Sequence, residues 1–218
     1  MQRRFASATI KTRSLLEEEL YKLEALVSYN IDVNSRRIYL IDDIEAEAIA
    51  AVIKNLHFLE LKNEDPISIY ISSQGGSLDL MFLLYDAIQN SPCEVTTIGS
   101  GEICSAAVLL LACGHKRLCT QTAWLMAHQS WSSVSGSQTE IQAQAEAHKK
   151  MEAKMWELLA KHSKKTAVEW KARAKEQGEI WLSPTEMVEY GVVDSVIKPT
   201  RPNPVVAKVT SKKKSNGR

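Results

Sequence analysis

A serine, a histidine and a carboxylate stand at positions where an acyl-transfer site can be assembled. The serine is Ser105, in the run Gly99-Ser100-Gly101-Glu102-Ile103-Cys104-Ser105-Ala106-Ala107-Val108-Leu109-Leu110-Leu111-Ala112. A β-type stretch, Val95 to Ile98, leads into the glycines, and an apolar run of helix formers follows. The pattern predicts a strand, a tight glycine turn, and a buried helix with Ser105 at its start. Backbone N–H groups and the helix dipole favour negative charge at such a place, and a carbonyl attacked by a serine hydroxyl develops negative charge on its oxygen. A serine there also serves as an ordinary helix N-cap, so the chemistry requires partners. His128, at the end of the β-type stretch Trp124–His128, is the candidate base. Glu176 and Glu179 are the candidate acids, and Gly75-Gly76 is a second glycine turn that permits close backbone approach. Triads occur in several chain orders, so the order serine, histidine, acid decides nothing until the geometry is known.

The elements that must position these residues follow a regular alternation. Arg37–Ile41, Ile67–Ile71 and Glu94–Ile98 read as strands. A helix with Ile49, Val52, Ile53 and Leu56 on one face follows the first, with Asp42-Asp43 as its predicted cap near Ile44. A second helix follows the turn Ser72–Ser77, carries Leu80, Met81, Leu84 and Ile88, and ends at Ser91-Pro92. Three strand–helix repeats predict an α/β domain with a largely parallel sheet, in which sites gather where strands end and helices begin. Farther on, Arg117–Cys119 and Trp124–His128 read as strands, Ser130 to Gly136 as a serine-rich loop, and Gln138 to His162 as one long helix. The C-terminal half of that helix repeats Met151, Met155, Leu158 and Leu159, whereas the N-terminal half is polar and expected to project. A helix near Ala167–Lys175 ends before Gly178. Ser183-Pro184-Thr185-Glu186 has the capping-box pattern with Pro at the first helical position, and Val192–Ile197 is the last expected strand. Ahead of all this, a helix from Ser14 carries a narrow stripe of Leu16, Leu20, Leu23 and Val27, which fits packing on its own domain or on a neighbouring subunit equally well.

The chain has 218 residues, with 27 basic and 26 acidic side chains. Seven of the basic residues and no acid fall in 198–218, so the rest carries 20 basic against 26 acidic groups. That tail has little to pack and is expected to be disordered. Cys93, Cys104, Cys113 and Cys119 lie in apolar or strand-like segments without a C-x-x-C pair, which fits buried thiols better than disulfides or zinc. The N-terminus lacks the apolar core of a signal peptide, and no stretch approaches a membrane span, so a cytoplasmic location is expected.

Arg37 to Ile197 resembles the Clp protease proteolytic subunit, ClpP, a serine peptidase family. Ile71-Ser72-Ser73-Gln74-Gly75-Gly76-Ser77 is similar to that family's I-N-S-P-G-G-S turn, and Gly101–Ala107 to its G-M-A-A-S-M-G segment. Met126-Ala127-His128-Gln129 resembles M-I-H-Q, and Glu157–His162 resembles the end of the family's long handle helix. Leu182-Ser183, Glu186 and Glu189–Asp194 resemble M-S-A-E-E-A-x-E-Y-G-L-I-D. The resemblance implies an α/β, ClpP/crotonase-type fold of repeated strand–helix units with a projecting handle helix. It divides the chain into an N-terminal segment, 1–36, a peptidase domain, 37–197, and a basic tail, 198–218. It implies Ser105 as nucleophile, His128 as general base, Glu179 as the acid four residues before Ser183, and the backbone N–H groups of Gly76 and Ala106 as the oxyanion hole.

The sequence departs from the family pattern at several points. The acid is Glu where the family has Asp, and because the segment between His162 and Trp181 is slightly longer, Glu176 is the substitute candidate. Gly178 replaces an Arg that pairs the two rings of the family's assembly. Ser130-Trp131-Ser132-Ser133 replaces P-L-G-G. The resemblance further implies self-assembly into a heptameric ring or double ring, an AAA+ unfoldase partner of the ClpX or ClpA type, and unfolded polypeptides as substrates. No cofactor, metal, membrane or nucleic acid is expected. The chain has no G-x-x-x-x-G-K-[ST] motif, so any ATP use falls to a partner. A catalytically inactive ClpP-like structural or regulatory subunit, a crotonase-type coenzyme A enzyme, and a phage capsid-maturation protease are the competing readings. Loss of Ser or His would mark the inactive subunit, yet both are present, and a crotonase-type site does not need the pair.

Overall fold

Period-two burial makes the strands legible: along β3 (Ile67–Ser73), Ile67, Ile69, Ile71 and Ser73 are buried while Ser68, Tyr70 and Ser72 are only partly covered. The computed structural model describes Leu15, residues 17–26 and residues 28–198. Ser14, Leu16, Val27, residues 1–12 and the tail beyond Lys198 lie outside the described residues. Helical residues 17–26 and 28–29 (α1) precede β1 (Ile31–Asp32) and β2 (Arg37–Ile41). After α2 (Ala46–Glu60), β3 and α3 (Leu78–Gln89) come β4 (Val95–Cys104) and the short helix α4 (Ala107–Ala112). Then follow β5 (Lys116–Cys119), β6 (Trp124–His128), α5 (Gln138–Lys161), α6 (Ala167–Gln177), β7 (Glu179–Leu182), α7 (Pro184–Tyr190) and β8 (Ser195–Val196).

The sheet runs β1-β2-β3-β4-β5-β8, with β6 on β4 and β7 on β6. Every pairing is parallel except β1–β2 and β6–β7. The strand–helix alternation and the largely parallel sheet are therefore as expected. One sheet face carries Ile38, Leu40, Ile67, Ile69 and Ile71 into a core shared with α2, α3 and α4. Helix α4 is buried at all six positions, and its Leu111 carbonyl accepts from Thr97 Oγ1 at 2.6 Å, so the one polar side chain of β4 in that layer is satisfied. No helix among the described residues is long and apolar enough to cross a membrane.

Three expectations change. The glycines at 99–101 do not end the strand. Strand β4 continues to Cys104 through a bulge, because Ile71 pairs with Gly99 and Ser73 with Ile103, so β4 spends two more residues than β3 over that step. Gly101, at φ 66°, absorbs the distortion. Asp42-Asp43 do not cap α2. Its N-cap is Glu45, and Ile44 instead bridges to Gly76. The last strand is shorter than Val192–Ile197, because Val192 and Val193 are spent in a buried turn after Gly191.

The long helix and the capping box at the start of α7 follow the sequence closely. Ser183 Oγ takes the Glu186 amide while Glu186 Oε2 takes the Ser183 N–H at 2.8 Å. The Ser183 hydroxyl, donating to Glu186 Oε2 at 2.6 Å, and then the Ser183 N–H hold the Glu186 carboxyl below its usual range. The first turns of α5 are exposed, and its other end is seated by Met155, Trp156 and Leu159, with Trp156 stacked on Trp170 at 6.3 Å. On α1 the apolar stripe does not close on this domain: Leu20 and Leu23 are 63% and 58% exposed.

Because α4 has no exposed face, Leu110→Ala is expected to cost roughly 2–5 kcal/mol in urea unfolding. Leu61→Ala, at a position 87% exposed, is expected to stay within about 0.5 kcal/mol. Equal effects would contradict this packing.

Candidate active site

Ser105 sits between strand and helix in a left-handed conformation, φ 56°, which an L-residue adopts at a cost of roughly 1–3 kcal/mol. Three contacts hold it there. Its N–H donates to the Met126 carbonyl at 2.7 Å, its carbonyl accepts from Val108 N at 3.1 Å, and Gly75 packs against it. A Cβ on Gly75 would stand 2.6 Å from Ser105 Cβ and 2.8 Å from the Cys104 carbonyl, so only glycine permits the approach. Ser105 is thus not the cap of α4; Ala106 takes that place. The strained turn between strand and helix presents the hydroxyl instead of folding it onto the helix end, the geometry of a nucleophile elbow.

The C-terminal half of β4 pairs with β6 through Glu102–Trp124, Ile103–Leu125 and Cys104–Met126. Continuing that register carries His128 past the end of β4 and beside Ser105. His128 Nε2 lies 2.8 Å from Ser105 Oγ, a hydrogen-bond distance that suits proton transfer from the hydroxyl. Both side chains are half-buried, open enough for a substrate and sheltered enough to limit screening.

Strand β7 runs antiparallel to β6 and places Glu179 directly opposite His128. Directly opposed residues project from the same face, so this carboxylate and the imidazole share a side of the sheet. Among the described residues no hydrogen bond joins them. Glu179 Oε2 instead accepts from Trp181 Nε1 at 2.9 Å, the neighbour two residues along the same face. Glu176 is in the last turn of α6, exposed and outside the β6–β7 ladder. The strand register therefore brings Glu179, and not Glu176, to the histidine.

Gly75 and Gly76, at φ 100° and 144°, form the facing turn. Ile44 N donates to the Gly75 carbonyl and Ser77 N donates to the Ile44 carbonyl, which pins the turn to the segment after β2. Gly76 N and Ala106 N have no hydrogen-bond partner among the described residues, and Ala106 precedes the first helical turn of α4. Two free backbone N–H groups on adjoining turns can donate to a developing oxyanion.

A cavity of ≈ 550 Å³ opens beside the pair and is lined by Ser105, His128, Met126, Ser130, His148 and Met151 among others. Trp131, in the segment that departs from the family's P-L-G-G, also lines the cavity, whereas nothing in the sequence singles out His148. His148 lies in the polar half of α5, where nothing in the helical pattern distinguishes it from a solvated residue. Trp181 left a usable sign, since in Glu179-Ile180-Trp181-Leu182 the alternation places it on the face of Glu179.

Cys104 adjoins Ser105 but points into the protein. Burial, with the Glu102 and Glu179 carboxylates nearby, pushes its thiol up to about 11, so it is not a thiolate at neutral pH. Burial also pushes Cys113 to about 12 and Cys119 to about 11. Among the described residues no cluster of three or more His, Cys, Asp or Glu is arranged to hold a metal ion.

The family model described as Clp protease matches residues 22–200. The ATP-dependent Clp protease proteolytic subunit 2 of Treponema denticola is 34% identical over 170 residues, covering 76% of this chain and 84% of that protein. Since the matched region takes in all eight strands of the sheet, this chain belongs to the Clp protease family and is a serine peptidase of the ClpP type.

Proposed function

We propose that Ser105 is the nucleophile and His128 the general base of peptide-bond hydrolysis. The observation that carries this reading is the 2.8 Å contact between Ser105 Oγ and His128 Nε2. His128 takes the hydroxyl proton as Oγ bonds to the carbonyl carbon. The carbonyl oxygen becomes an oxyanion between the N–H groups of Gly76 and Ala106. His128 then returns the proton to the departing amine as the C–N bond breaks, leaving an acyl ester on Ser105. A water, deprotonated by His128, releases the acid by the same steps in reverse order of roles.

Glu179 is proposed as the acid that orients His128 and stabilises its cationic form. Trp181 Nε1 already occupies Oε2, leaving Oε1 for His128 Nδ1. Anchoring one oxygen in this way restrains the extra methylene that a glutamate has over an aspartate.

Membership of the Clp protease family implies self-association and association with Clp ATPases in general. The finer reading is a cytoplasmic ring or double ring whose chamber receives unfolded polypeptides from an AAA+ unfoldase. In this reading 37–197 is the peptidase domain, flanked by the segment 1–36 and the tail 198–218. The uncovered leucines of α1, Leu20 and Leu23, support contact with another chain.

In hydrolysis of a fluorogenic peptide, Ser105→Ala and His128→Ala are each expected to lower kcat by roughly a thousandfold or more, and the double variant by little beyond that. Additive losses would mean that the two act separately. Glu179→Gln is expected to reduce kcat by about a hundredfold to ten-thousandfold, and Glu176→Gln by less than about twofold. An unaffected Glu179→Gln enzyme would remove that residue from the reading. Iodoacetamide at pH 8 is expected to leave hydrolysis intact, because the three thiols with raised pKa are buried and protonated. Inactivation that tracks alkylation of Cys104 would contradict a serine-only site.

A further inference from the structure

We propose that His148, on α5, is a specificity-determining residue that makes the cavity beside Ser105 select a substrate side chain ending in a neutral hydrogen-bonding group, the carboxamide of glutamine foremost. The inference rests on the catalytic reading of Ser105 and extends it to the substrate.

The wall of this cavity is mixed in character. Met126 and Met151 supply apolar surface for a flexible chain, and exposed Trp131 stands at its rim. Between them lie Ser130 and His148, whose Oγ and Nε2 are 2.9 Å apart. The pair ties the loop after His128 to the long helix, and Glu152, one turn beyond His148, strengthens the tie by accepting the Ser130 N–H at 3.1 Å. That carboxylate oxygen also receives Trp156 Nε1 at 3.4 Å. His148 is therefore held in place by its surroundings, and a fixed polar group discriminates better than a mobile one.

A neutral imidazole has one donor and one acceptor nitrogen. Nε2 is engaged by Ser130, and Nδ1 has no hydrogen bond among the described residues. A carboxamide, which both donates and accepts, matches Nδ1 in either tautomer. An aliphatic side chain of the same length would cover His148 without replacing its contact with water, and that leaves a polar group unsatisfied. The acids in reach, Asp79 on the cavity wall and Glu152 behind the loop, oppose a substrate carboxylate. A neutral polar chain of glutamine length is the best fit to this set.

The test is binding of dye-labelled peptides, identical except for glutamine, methionine or lysine at the residue bearing the attacked carbonyl, to the full-length Ser105→Ala chain. Glutamine and methionine are close in length, so their ratio isolates the hydrogen-bonding end. The expected result is tighter binding of the glutamine peptide by roughly fivefold or more, the size of one neutral hydrogen bond. His148→Leu in the same chain is expected to erase that preference by weakening glutamine and strengthening methionine. Tightest binding of methionine or lysine, or a glutamine preference unchanged by His148→Leu, overturns the proposal. Should His148→Leu misfold, the cleavage sites of the wild-type chain in an unfolded protein decide: enrichment of glutamine supports the assignment, and dominance of methionine and leucine overturns it. Absent hydrolysis with the binding preference intact would count against the catalytic reading alone.

Discussion

The site depends on a single backbone approach. Gly75 comes so close to Ser105 that a Cβ on it would lie 2.6 Å from Ser105 Cβ. This contact sets two chain segments, one after β3 and one after β4, edge to edge at the sheet's C-terminal end. The same approach sets Gly75 against Ala106 N, and Gly76 lines the cavity that Ser105 opens into. The left-handed Ser105 backbone is costly in isolation, and it persists because the Met126 carbonyl, the Val108 amide and Gly75 all enforce it. Strain at this turn is balanced by the fully buried α4 behind it, which cannot shift without opening the core.

The second requirement is that β4 serve two neighbours on one edge. Its first half pairs with β5 and its last three residues with β6. The bulge at 99–102 re-aims the strand between these partners, and the consequence is chemical: β6 is placed so that His128 reaches Ser105, and β7 follows with Glu179 in register. The Ser105–His128 contact is thus a product of strand pairing, not of any loop. Buried thiols around it stay protonated, so the cysteine adjoining Ser105 does not compete.

Much of this was legible in the sequence because it is local. Alternation marks β3, the serine–glutamate spacing marks the start of α7, and the 3.6-residue repeat marks the seated half of α5. The C-terminal end of β4 departs from the sequence reading for the opposite reason. Gly99–Gly101 look like a turn, but pairing with β3 and β6, distant in sequence, keeps them in the strand. Likewise Ser105 looks like a helix cap until the Met126 carbonyl and Gly75 are in place to hold φ positive. The spacing to Ser183 already pointed to Glu179 ahead of Glu176; that Glu179 lies directly opposite His128 is visible only in the β6–β7 register. The cavity's polar wall needed the packing of α5 against the loop after His128, which no window along the chain contains. The motif resemblance drew attention to Ser105, His128 and the Gly75-Gly76 turn because each lies in a short segment that can be read without its distant partners.

The most direct test of the account is peptide mapping by mass spectrometry after reaction with a fluorophosphonate, with the rate of adduct formation followed for the wild type and for His128→Ala. One adduct per chain is expected, on Ser105, formed at least about a hundredfold more slowly without the histidine base. An adduct on any other residue, or equal rates in the two proteins, would contradict a serine activated by His128.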